Sequence, residues 1–317
     1  MKNYNIEEQS PHEGLFHEKD HQINAFNSWS LLSNGEFLPS YPTVQFLPAG
    51  FYEIKYSPEH RSDVLRKKEI SIDELFYLPS NEILDIVKDI KNFWESEKKF
   101  KEYKLIHKRG ILLYGDPGCG KSGIIQLCTK HLVEEMGGIV LNVGSGDELE
   151  KLQSFLETIR RIEPLRPIIV ILEDVEAIAG EEKYYTSLLL NMLDGLKQTE
   201  NIVYIATTNY PERLEERITN RPSRFDRRYH VSLPGEEVRE VYFRLKISEK
   251  DLSNTELKKW VKETKGMSLA HLKELIVSVI AMGNSFSETI NTLKALGDKP
   301  KTESKNKKKV GFGTSEN

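Results

Sequence analysis

Cysteine is nearly absent: 317 residues hold only Cys119 and Cys128, so no disulfide framework can staple the chain. The expectation is a reducing compartment, the cytoplasm. Long apolar runs are missing too. No stretch approaches the roughly 18 residues needed to cross a bilayer, and no membrane span is expected. The start, MKNYNIEEQS, has no apolar centre and carries acids, so it reads as neither a secretory signal nor a transit peptide. A dominant charge is also lacking. With a net charge of −4, binding to nucleic acid or an anionic membrane needs a local patch rather than the whole-molecule field. What remains, 38% hydrophobic and 30% charged residues, describes a soluble globular protein of one large domain or two ordinary ones.

The strongest positive feature is Gly115-Asp116-Pro117-Gly118-Cys119-Gly120-Lys121-Ser122. It follows the apolar run Ile111 to Tyr114 and precedes a helix with Ile124, Ile125, Cys128, Leu132 and Met136 on its apolar face. Strand, glycine-rich turn and helix in that order form a phosphate loop, G-x-x-x-x-G-K-[ST]. Residues 115–123, through Gly123, are the expected nucleotide-binding set. The glycines let backbone N–H groups turn toward phosphate oxygens at the positive end of the helix. Lys121 is expected to reach the outer phosphates of ATP, and the Ser122 hydroxyl to ligate Mg2+.

Residues 1 to about 43 are polar and aperiodic, and residues 1–68 are expected to form an N-terminal region. His12, His17 and His21 lie there at spacings that match no metal-ligand pattern. Tyr52, Ile54 and Tyr56 alternate with charged residues as a half-buried strand. Asn81 is placed to cap a helix carrying Ile86, Val87, Ile90, Phe93 and Trp94. The segment from Lys98 to Arg109 is basic, and it reads as a solvated helix end or, alternatively, as a nucleic-acid groove. Strands then alternate with helices: Ile139–Val143, Pro167–Leu172, Ile202–Ala206 and a last one at Tyr229–Leu233. Near-continuous apolar strands of this kind predict a parallel α/β sheet sandwiched by helices, over residues 69–235. Past Pro234 four helices follow, a smaller helical unit over 236–298, and 299–317 is a lysine-rich tail.

At the end of the most aliphatic strand stand Glu173 and Asp174. The first acid is expected to face Mg2+ and the second to polarise the attacking water, although the order is reversed from the usual Asp-Glu. Asn209, at the end of the next strand, can contact the γ-phosphate or that water. Arg221 and Arg224, in RPSRFDRR, are arginines beside a nucleotide site that can supply charge to a transition state.

Taken together, GDPGCGKS, IIVILED, Asn209 and RPSRFDRR resemble the AAA ATPases of the AAA+ superfamily, from about Ile70 to about Met282. The phrases KRGILLYGDPGCGKS, LEDVEA and SLLLNMLDGL are similar to the mitochondrial Rieske-protein translocase branch, whose membrane anchor this sequence lacks. The resemblance implies an ATP-hydrolysing P-loop NTPase with a helical lid, acting as a self-assembled ring, typically a hexamer, on a protein substrate. It implies that Arg221 and Arg224 reach into the neighbouring subunit's site. It also places the lid helix start at Gly266 to Leu272, where Leu269 stands at a customary glycine. The family's pore aromatic is missing from Val143–Glu148, and Tyr184 and Tyr185 are candidates for a second pore loop or for packing. A nucleic-acid motor and a nucleotide-gated scaffold with little turnover are the alternative readings.

Overall fold

The computed structural model describes residues 29–31, 37–39, 44–69, 81–179, 183–194, 199–214, 218, 224–248 and 250–297. The three N-terminal histidines and the lysine-rich tail lie outside the described residues.

An antiparallel pair, β1 (Trp29–Leu31) and β2 (Phe37–Pro39), comes first, then a hairpin of β3 (Gly50–Ser57) and β4 (Ser62–Lys68). Helices α1 (Asn81–Glu95) and α2 (Glu97–Glu102) lead to β5 (Lys108–Tyr114) and α3 (Lys121–Met136). Alternation continues through β6 (Ile139–Val143), α4 (Gly146–Ile162), β7 (Ile168–Leu172), α5 (Val175–Ala179), α6 (Lys183–Asp194) and β8 (Ile202–Thr208). After β9 (Arg227–His230) come α7 (Glu236–Lys246), α8 (Asn254–Glu263), α9 (Leu269–Ile276) and α10 (Phe286–Gly297).

Seven strands form one sheet in the order β4-β3-β6-β7-β8-β5-β9, parallel at every pairing except the β3–β4 hairpin. The period-2 geometry of a strand sorts its side chains to opposite faces. Ile139, Leu141, Val143, Ile168, Val170 and Leu172 join one buried cluster with α4, α5 and α6. Val140, Ile169, Ile171, Val203 and Ile205 join another with α1 and α3. Burial on both faces explains why these strands are aliphatic throughout; each such side chain is worth about 1.5–3 kcal/mol. The expected sandwich is therefore what the chain builds.

Two features differ from the sequence reading. First, β3 and β4 belong to the main sheet, β3 lying parallel to β6 with Tyr52 opposite Leu141. A buried ion pair, Glu163–Arg166 at 3.0 Å, clamps the entry to this hairpin. Glu163 accepts the Leu47 N–H at 2.9 Å, and Arg166 donates to the Leu47 carbonyl at 2.7 Å. Second, the last strand is Arg227–His230, two residues earlier than expected, with Arg227 opposite Ile111. An edge strand has one open side, so exposed Arg227 and Arg228 are tolerated there, while Phe225 just before them is buried.

The four closing helices pack on a core of their own built from Phe243, Leu257, Trp260, Val261, Leu272 and Leu275. Ser253 and Glu256 make a full capping box at the start of α8. Among the described residues no helix is long and apolar enough to cross a membrane.

Candidate nucleotide site

β5 runs into Gly115 at the carboxyl end of the sheet, and the chain turns through the phosphate loop into α3. Gly118 and Gly120 adopt φ of 75° and 111°, conformations that strain any side chain. Gly120 is also the N-cap of α3 and offers no capping side chain. The first N–H groups of this 16-residue helix are thereby left for an outside anion, at its positive end.

Lys121 is buried, and its ammonium donates to the Gly115 carbonyl at 2.7 Å, the Asp116 carbonyl at 3.0 Å and Asn209 Oδ1 at 2.6 Å. Asn209 Nδ2 donates to Asp174 Oδ1 at 3.2 Å. The backbone N–H of Asp174 donates to Thr207 Oγ1 at 3.1 Å. Because β7, β8 and β5 are consecutive in the sheet, residues far apart in sequence meet along one edge. Asp174 has φ 50°, left-handed for a non-glycine residue, and its carbonyl accepts the Ala177 N–H at 2.7 Å to start α5. That strain costs about 1–2 kcal/mol and aims the carboxylate back at Asn209.

Of the sequence-predicted residues, Lys121, Asn209 and Asp174 thus form one hydrogen-bonded chain. Ser122 and Glu173 are exposed, one on the first turn of α3 and the other at the end of β7. Thr207 was visible only as part of the Thr-Thr-Asn run; nothing in that run says that its hydroxyl holds Asp174.

Arg224 is buried, and its Nε pairs with Asp194 Oδ2 of the same chain at 2.8 Å. The Arg224 carbonyl sits against Gly110, only 1.9 Å from where a Cβ there would lie. Arg221 lies outside the described residues.

The basic stretch before β5 is split. Lys98, Lys99, Lys101 and Lys104 are exposed, Lys101 pairing with Glu97 at 2.5 Å. Lys108 instead reaches the Leu193 carbonyl, and burial holds its ammonium below the usual lysine range. Arg109 pairs with Asp89 at 3.2 Å. Tyr185, meanwhile, packs on the first turn of α4, and the exposed Tyr184 reaches the same helix. The Tyr185 ring covers Gly146 and its hydroxyl donates to Asp147 at 2.8 Å; Tyr184 donates to Glu150 at 2.9 Å.

Residues 111–233 match the family model described as the ATPase family associated with various cellular activities (AAA). The chain is 27% identical over 237 residues to an ATP-dependent zinc metalloprotease FtsH of Aster yellows witches'-broom phytoplasma, covering 69% of this chain and 34% of that protein. It is 27% identical over 229 residues to a proteasome-activating nucleotidase of Methanosarcina mazei, covering 67% of this chain and 53% of that one. The phosphate loop, β6 to β9 and the helices between them thus lie in the stretch that is similar to that family. The chain spans at most about half the length of these relatives.

Within this matched stretch the donor set fits ATP and Mg2+. Lys121 and the uncapped start of α3 suit phosphate oxygens, and Ser122, Glu173 and Asp174 carry the hard oxygen donors that Mg2+ takes. They follow β5 and β7, which flank β8 in the sheet, and so lie at its carboxyl edge, where ligands of open α/β sheets bind.

Proposed function

We propose that this chain is an Mg2+-dependent ATPase that converts ATP and water to ADP and phosphate. It works as a ring of copies, typically a hexamer in this family, that remodels a protein or protein complex in the cytoplasm. Residues 69–235 are the nucleotide-binding part, with the β3–β4 hairpin added to its sheet, 236–298 are the lid, and substrate preference lies in the rest of 1–68. The observation that carries the reading is the hydrogen-bonded chain Lys121–Asn209–Asp174. It sets a cation, an amide and a carboxylate in line, the groups that phosphoryl transfer to water requires.

In this reading the loop amides and the α3 terminus bind the β- and γ-phosphates, and Lys121 lies against the outer oxygens. Ser122 and Glu173 would hold Mg2+, which supplies charge neutralisation to the phosphates when bound. Asp174 accepts a proton from the attacking water, while Asn209 keeps that carboxylate oriented and donates toward the γ-phosphate. Names among the relatives tie two of them to a protease and to a proteasome, which supports a polypeptide substrate. Steady-state ATPase assays test the reading. Wild type should turn over with Mg2+, and Asp174→Ala should lose about 100-fold or more in kcat while still binding ATP. Absence of wild-type turnover at ring-forming concentrations would overturn the enzyme and leave a nucleotide-gated scaffold.

A further inference from the structure

The phosphate loop is braced from outside by the first turn of α9. Ser268 is buried, and its Oγ accepts the His271 N–H at 3.5 Å and pairs with His271 Nδ1 at 2.6 Å, which fixes that turn. The Ala270 N–H donates to the Gly118 carbonyl at 3.3 Å. A Cβ on Gly118 would meet the Ala270 methyl at 2.7 Å and Ser268 Oγ at 2.9 Å, and one on Gly120 would meet Leu269 Cδ1 at 3.0 Å. Leu269 also packs against the core of the four closing helices. One side chain therefore touches both the helical unit's interior and the last glycine before Lys121. A glycine at position 269 could make neither contact.

We infer that Leu269 is a positioning residue that couples the helical unit to the phosphate loop. This rests on the reading of that loop as the nucleotide site. Gly120 sets the direction in which Lys121 and the first amides of α3 leave the loop. Leu269 limits how far Gly120 can swing, because its other face is anchored in a packed core that yields little. A loop held in its cradle conformation binds phosphate without first being ordered, so the contact slows nucleotide loss. The coupling is reciprocal: nucleotide in the loop steadies the start of α9 by the same free energy.

The test measures dissociation of a fluorescent ADP (mant-ADP) from the full chain by stopped flow. Leu269→Ala should release it about tenfold faster, equivalent to about 1.4 kcal/mol, and Leu269→Met should restore the rate to within about threefold. In wild type, mant-ADP should slow hydrogen exchange at the Ala270 amide, and in Leu269→Ala it should not. A side chain that only fills the helical core gives another pattern: a lower melting temperature without ligand, with release and exchange unchanged. Release from Leu269→Ala within about twofold of wild type overturns the inference while the nucleotide reading stands. Failure of wild type to bind mant-ADP overturns both.

Discussion

Asp174 stands at φ 50° because β7 must stop and α5 must begin within two residues, and the Thr207 hydroxyl holds its backbone N–H in that turn. Thr207→Val keeps the volume of a buried side chain but removes the acceptor. We expect kcat to fall about tenfold with little change in KM for ATP, because the group lost positions a carboxylate rather than binding substrate. Steady-state kinetics over an ATP series will check this. Lys121, Asn209 and Asp174 were legible in the sequence, since strand-end motifs at sequential strands converge by topology alone. The Arg224–Asp194 pair was not: the two lie 30 residues apart on different elements, and no local pattern announces it.

The β3–β4 hairpin marks the same limit for whole elements. Alternation at Tyr52, Ile54 and Tyr56 showed a strand with one buried face, yet its neighbour β6 begins some 90 residues later, and pairing is not written in a strand's own period. What fixes the hairpin is the Glu163–Arg166 pair gripping Leu47. Glu163→Ala strands a guanidinium that is 2% exposed, and the loss should be about 3–5 kcal/mol, read as a lower urea midpoint. Replacing both partners with apolar residues should recover only part of it, because the Leu47 N–H and carbonyl then lose their partners. Tyr52, next to the same clamp, adds a pH dependence. Burial pushes its phenol up to about 12 from 10, so the folded state favours the neutral form. Its contribution is whole below pH 10 and is lost as pH rises through about 12. Tyr52→Phe should therefore lose less stability than wild type between those values, measured by denaturant melts across that range.

At the scale of the molecule, the pairing of Arg224 with Asp194 bears on the proposed ring. A guanidinium tied to its own chain serves to dock the turn before β9 onto the end of α6. The resemblance assigns charge supplied across a subunit boundary to both Arg221 and Arg224. The two roles separate by complementation. Lys121→Ala destroys a protomer's own site, whereas Arg221→Ala should leave its own site intact and starve the neighbour's. Mixed in equal amounts, the two inactive variants place an intact site beside an intact Arg221 at about a quarter of the interfaces of a randomly assembled ring. ATPase activity should return to that order. Arg224→Ala should instead lower the melting temperature, because Asp194 loses its ion-pair partner, and mixing it with Lys121→Ala should restore nothing beyond its own residual rate. If the Arg224 mixture recovers as the Arg221 mixture does, the pair with Asp194 is one that ring assembly breaks, and Arg224 acts on the neighbouring subunit after all.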